Sequence, residues 1–231
     1  MTRVHARYVS AALIFLFLTI GLFARERAEE NAAFFSSGSP FTEAAERVSQ
    51  SVVGVSNYIG GERALMGSGV VISDKYILTN YHVIEGAEKL TVSFAGKEIK
   101  AAVCAYDHAL DAAVLHAGRL TCAPVRMGDS DRLSVGEWVI CVGNPLHDAL
   151  RGTVTAGIVS ALERKVSSAQ TMIQTDAAIN SGSSGGGLFN VRGELVGIPT
   201  MKYTGGTVEG IGLAIPLNSV KPLIQKAVGG G

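Results

Sequence analysis

Cysteine is scarce and odd in number. Cys104, Cys122 and Cys141 are the only three, which excludes a complete disulfide framework. Each lies among Ala, Val or Ile, where a small buried apolar residue is the expectation. No C-x-x-C occurs, and the five histidines are scattered without a metal-ligand spacing, so neither a metal nor a cofactor is expected. Net charge is missing as well. Lys plus Arg and Asp plus Glu balance at 20 each, which leaves no field to attract nucleic acid or anionic lipid. Aromatic residues make up only 6% against 28 glycines, a balance that suits a turn-rich β protein. With 47% hydrophobic and 17% charged residues over 231 positions, the chain has room for one globular domain of about 180 residues plus a leader.

The leader is the one long uncharged run. Tyr8 to Ala24 reads YVSAALIFLFLTIGLFA, with Arg3 and Arg7 before it and Arg25 and Arg27 after. At ~1.5 Å per helical residue it reaches about 26 Å, the low end for a bilayer. A cleaved signal peptide competes with an anchor, but Leu22-Phe23-Ala24 puts a large residue where A-x-A cleavage wants a small one. Residues 1–24 are therefore expected to be a transmembrane anchor with the domain behind it extracytoplasmic, and secreted if the leader is cut. Residues 25–40 (RERAEENAAFFSSGSP) read as a stalk.

From Ser51 onward short β-branched runs alternate with Gly, Asn or Asp: SVVGVSNY, GVVIS, YILTN, LTVSF, AAVCAY, AAVLH, WVICVG, TVTAGIVSAL, MIQT, ELVGIPT and GLAIP. Many short strands without amphipathic helices between them predict an all-β barrel or sandwich. Helical composition flanks them. Phe41 to Ser51 comes first, with Thr42 able to cap it, and residues 217–228 come last, started by Asn218 or Ser219. Pro222 in the second is tolerable only in a first turn. Gly229 to Gly231 form a glycine tail, either a native end or a linker to a further domain.

Three segments carry chemistry. YILTNYHVIEG puts His82 just past a strand, YDHALDAAVLH puts Asp111 just before one, and DAAINSGSSGGGLFN puts Ser184 in a glycine-rich turn. A serine hydroxyl attacks only when an imidazole takes its proton, and a buried carboxylate holds that imidazole in the right tautomer. The order His, Asp, Ser is the chymotrypsin-type order. By position, the N–H groups of Gly182 and Ser184 would make an oxyanion hole. Each residue has a blander reading. SGSSGGG alone looks like a linker, His82 like a structural histidine and Asp111 like a strand cap, while Asp107, His108 and His116 are rivals nearby.

The sequence resembles the HtrA/Deg-type proteases, a branch of the trypsin-fold serine peptidases. The resemblance rests on GSGVVIS (67–73), YILTNYHVI (76–84), LDAAVL (110–115), VGEWVICVGNP (135–145), TVTAGIVSAL (153–162), IQTDAAIN (173–180) and GIGLAIPLNSV (210–220). It implies a protease domain over 41–228 made of two six-stranded β-barrels, about 51–120 and about 130–217. His82 and Asp111 would belong to the first, Ser184 to the second, with the active site in the cleft between them. The family's N-P-G-N-S-G-G-P-L reads here N-S-G-S-S-G-G-G-L (Asn180 to Leu188), and losing two prolines frees the loop by about 0.4–1 kcal/mol each. Ala112 stands where Leu is usual, and a short bridge, Gly60 to Leu65, stands where some members carry a long regulatory loop. The family's PDZ domain has no counterpart, so a protease domain without one is expected; the homotrimer usual in the family is the assembly the resemblance admits.

In a trypsin fold the residue six before the nucleophile, here Ala178, lies near the base of the primary pocket, with no Asp or Glu in that place. Ile198, Pro199, Thr200, Met201 and Gly212 would supply its walls. The expected function is a serine endopeptidase for unfolded polypeptides in envelope quality control, preferring small or medium aliphatic residues before the scissile bond. The alternative is a membrane-anchored binding module or chaperone that keeps the protease fold without turnover.

Overall fold

The computed structural model describes residues 39–144, 152–167, 170–202 and 210–229, with isolated positions 21 and 25. The expected anchor and stalk fall outside the described residues but for positions 21, 25, 39 and 40. Among the described residues no helix is long and apolar enough to cross a membrane. The chain divides at Ser39 into two units, and Pro40–Gly231 is the second.

Six antiparallel strands close the first barrel: β1 (Val52–Ile59), β2 (Glu62–Val71), β3 (Tyr76–Thr79), β4 (Lys89–Phe94), β5 (Lys97–Asp107) and β6 (Ala112–His116), in the order β1-β2-β3-β6-β5-β4. The second part contains β7 (Arg126–Met127), β8 (Trp138–Gly143), β9 (Thr153–Ser167), β10 (Gln170–Thr175), β11 (Gly187–Asn190), β12 (Glu194–Lys202) and β13 (Gly212–Pro216). Its order is β11-β8-β9-β10-β13-β12, and pairing of β11 with β12 closes six strands into a second barrel. The two-residue β7 adds in parallel to the start of β12. The expected all-β double barrel is the observed fold.

Alternation sorts the side chains of these strands between two cores. Within β3 and β6, Ile77, Ala113 and Leu115 point into the first barrel, while Leu78, Ala112 and Val114 point out of it. Within β8, Val139 and Cys141 fill the second barrel, and Ile140 and Val142 leave it. The outward sets meet in a shared core with Phe189, Leu195 and Ile215, so both faces of these strands are apolar. Two helices seal that core. α1 (Pro40–Val48) buries Ala44 and Val48, and α3 (Leu217–Val228) buries Leu217, Val220 and Leu223. Each such buried Val or Leu contributes roughly 1.5–3 kcal/mol by leaving water.

Four local expectations need correction. The bridge between β1 and β2 is only Gly60–Gly61, both at positive φ, because Glu62 to Leu65 already pair in β2. Cys104 is exposed, unlike buried Cys122 and Cys141. Val103 pairs with Leu115 and Ala105 with Val114, so Cys104 is the extra residue of a β-bulge. Helix α3 begins at Leu217 without a side-chain cap of its own. Ser130 accepts the Asn218 N–H at 3.0 Å from across the fold. Pro222 lies beyond the first turn, where it leaves the Asn218 carbonyl without its usual donor.

Candidate active site

His82 stands on α2 (Tyr81–Ile84), a single turn following β3. Its Nδ1 lies 2.9 Å from Oδ2 and 3.1 Å from Oδ1 of Asp111, and its backbone N–H donates to Oδ1 at 2.9 Å. His82 is thus held through its ring and its backbone by one carboxylate, and its other ring nitrogen has no partner among the described residues. The His82 side chain is 41% exposed, that of Asp111 24%.

Asp111 has φ +50°, a left-handed conformation that Asp tolerates better than most residues. The tight turn from β5 into β6 imposes it, and four contacts hold that turn. Leu110 N–H donates to Asp107 Oδ1 (3.0 Å), Asp111 N–H to His108 O (3.2 Å), Asn80 Nδ2 to Asp111 O (2.8 Å) and Gln170 Nε2 to Leu110 O (3.0 Å). Thr200 Oγ1 gives Asp111 Oδ2 a further short bond of 2.5 Å. Burial by itself would raise the Asp111 carboxyl. Hydrogen bonds from the His82 ring, Thr200 and the His82 N–H, with the imidazole's charge, outweigh it and hold the group below its usual range.

Ser184 approaches from the second barrel. Its hydroxyl donates to the Thr200 carbonyl at 3.0 Å, so Thr200 touches Ser184 through its backbone and Asp111 through its side chain. No hydrogen bond joins Ser184 Oγ to His82 among the described residues. The loop around it is shaped by glycine. Gly182 sits at φ +89° and Gly185 at φ +83°, and a Cβ on Gly185 would strike Ser68 O and Thr79 Oγ1. The N–H groups of Gly182 and Ser184 find no acceptor among the described residues. These two donors beside a half-exposed hydroxyl are the groups expected to stabilise a developing oxyanion.

The rival residues have other partners. Asp107 caps its own turn, His108 stands edge-on to Tyr81 with ring centroids 5.1 Å apart, and His116 packs against Tyr76 at 5.5 Å. A cavity of about 180 Å³ runs along Asp176 to Asn180 and Gly210 to Gly212, so it contains Ala178 and Gly212. For the other expected wall residues, the structure gives these partners. Ile198 is fully buried in the shared core, Pro199 O accepts from Gly185 N–H at 3.0 Å, and Thr200 serves Asp111. The Met201 side chain falls outside what the structure describes. Asp176, absent from the sequence-based pocket, lines the cavity, with Oδ1 engaged by Ile158 N–H at 2.7 Å. Sequence reasoning missed Thr200 and Gln170 as supports of the Asp111 turn, because neither lies in a segment that shows catalytic residue types. Among the described residues no cluster of three or more His, Cys, Asp or Glu is placed to hold a metal.

Residues 67–198 match the family model of the trypsin-like peptidase domain. Over 178 residues the chain is 45% identical to the serine protease Do-like HtrA of Bacillus subtilis, covering 71% of this chain and 40% of that protein. To serine protease Do-like HtrB of the same organism it is 38% identical over 223 residues, covering 85% and 49%. The crystal structure of a serine endoprotease from Yersinia pestis superposes with a TM-score of 0.74 at 37% identity, covering 85% of this chain and 69% of that one. The chain spans about half the length of the curated relatives it matches. With its two closed barrels and the His82, Asp111 and Ser184 segments in their order, it belongs to the HtrA/Do-like branch of the trypsin-like peptidase family.

Proposed function

We propose that the chain is a serine endopeptidase in which Ser184 is the nucleophile, His82 the general base and acid, and Asp111 the carboxylate that orients the imidazole. The observation that carries the reading is the junction at Thr200, which links Ser184 to the Asp111–His82 pair. Substrate entry would turn the Ser184 hydroxyl from the Thr200 carbonyl toward His82 Nε2. Ser184 Oγ then attacks the scissile carbonyl, its proton passes to Nε2, and the oxyanion meets the N–H groups of Gly182 and Ser184. His82 returns the proton to the leaving amine, and water releases the acyl group by the same steps.

The cavity at Ala178, Ile179 and Gly212 takes a small or medium aliphatic side chain. Such residues are presented by unfolded polypeptide, the proposed substrate class. Tyr8–Ala24 holds the domain on the extracytoplasmic face, where two relatives at 43–44% identity carry the word periplasmic in their names. A fluorophosphonate probe tests the assignment, because it needs nucleophile, base and oxyanion hole together. Labelling of the full chain, its loss in Ser184→Ala, and β-casein cleavage that follows the same pattern are expected. Casein cleavage no greater than that of Ser184→Ala at any pH would assign the chain to the non-catalytic binding class.

A further inference from the structure

The GSG run at residues 67–69 matches the family, yet the catalytic assignment makes no use of it. Ser68 within it is fully buried, and each of its polar atoms is occupied. Its N–H donates to Ser184 O at 2.8 Å, and its carbonyl accepts from Thr79 Oγ1 at 2.6 Å. Its hydroxyl accepts from Asn144 N–H at 2.8 Å and donates to Gly182 O at 2.6 Å. A residue of the first barrel thus holds two carbonyls of the nucleophile loop in the second.

These bonds determine which groups in the loop remain free. The Gly182–Ser183 peptide is held at both ends, its carbonyl by Ser68 Oγ and its N–H by Asn180 O at 2.9 Å. Ser183 O accepts from Gly186 N–H at 3.0 Å. The Ser184–Gly185 peptide is held through its carbonyl by Ser68 N–H and through its N–H by Pro199 O. The N–H groups of Gly182 and Ser184 are what this network leaves over. In this loop Ser181, Ser183 and Gly187 replace the Pro, Asn and Pro usual in the family, so ring stiffness cannot hold it.

We propose that Ser68 is a positioning residue for the oxyanion hole: its hydroxyl fixes the Gly182–Ser183 peptide from the opposite barrel and so keeps the two N–H groups aimed at the reacting carbonyl. The functional half of this statement rests on the peptidase reading; the structural half does not. Removing a direct oxyanion donor lowers kcat by roughly 10²–10³, and loosening the peptide beside one should cost about tenfold or more.

The test uses the full chain with Ser68→Ala and Ser68→Cys and two readouts. The first is amide hydrogen exchange without substrate. Exchange at Ser183 and Gly186 should rise about tenfold or more in Ser68→Ala and less in Ser68→Cys, whose thiol is a weaker donor, with Val70 and Val114 unchanged. The second is peptide hydrolysis, where kcat should fall in the same graded order with KM held, and a peptide boronate should lose affinity in proportion. Exchange that stays at the wild-type value, that rises evenly over both barrels, or that rises while kcat is unchanged would overturn the proposal. So would a Cys variant equal to wild type, which would mean that only volume matters at this position. A wild-type chain without hydrolysis would refute the peptidase reading alone, and exchange would still decide whether Ser68 holds the loop.

Discussion

The two barrels contribute to the site in different ways. In the first, His82 and Asp111 stand at the ends of β3 and β6, neighbouring strands whose pairing (Thr79 with Ala113) brings them together. Strand register brings the two residues side by side, and the bonded turn at Asp111 with Thr200 sets the carboxylate against the imidazole. In the second, Ser184 stands on the long connection from β10 to β11, and that connection takes its shape from contacts with Ser68, Thr79 and Pro199. Residues on strand ends inherit the precision of a ladder, whereas a loop residue needs dedicated bonds to reach it. Ser184, the proposed nucleophile, is accordingly the member of the site whose hydroxyl is not bonded to His82 among the described residues.

The largest effect should come from cutting the link between barrels. His82→Ala and Ser184→Ala are each expected to lower kcat on the order of 10⁶-fold, and the double variant little more, because the residues act as a unit. Active-site titration of each variant would check this, and additive losses would break the proposed pairing. Next is Asp111→Asn, expected to leave the fold intact while lowering turnover by roughly 10⁴-fold through the wrong imidazole tautomer. Asp107→Asn, which weakens only a turn cap, should stay within about tenfold of wild type. A reversal of those two results would show that the orienting carboxylate has been misidentified.

A third effect separates the sites by pH. The folded Asp111 carboxyl lies below its ordinary value of 3.8, so it stabilises the fold above that pH and ceases to do so as pH falls through its folded value. The gap in urea midpoint between wild type and Asp111→Asn should therefore be constant above about pH 5 and narrow in acid. A gap that widened in acid would contradict the hydrogen-bonded carboxylate.

The smallest effect concerns thiols, again one per region. Cys104 on the exposed bulge of the first barrel should react with a maleimide in the native protein. Cys141 inside the second, its thiol pushed up to about 12 by burial, should react only after unfolding. Mass spectrometry of the labelled peptides distinguishes them, and equal native labelling would mean that the second barrel opens readily.

Much of this could be read from the residues. β6, β8 and β13 have the bounds that AAVLH, WVICVG and GLAIP mark, since β-branched runs between turn residues are a local signal. The same kind of reading failed at Cys104, where a bulge reverses the side that alternation assigns, and at α3, where a tertiary bond from Ser130 replaces a cap.

The amino-acid order by itself determined the strands and the chemistry-bearing segments, because each depends on spacing within a dozen residues; the division of His82, Asp111 and Ser184 between two barrels came only from the family resemblance. Only the tertiary structure decided which carboxylate meets the imidazole, that Thr200 joins both halves, and that Ser68 holds the nucleophile loop. Apart from the Ser184–Thr200 bond, 16 positions apart, those hydrogen bonds join residues at least 29 positions apart, and their donors and acceptors are common types with no local pattern. Closure of two barrels against a shared core sets the distances between them, and no window of sequence contains that geometry.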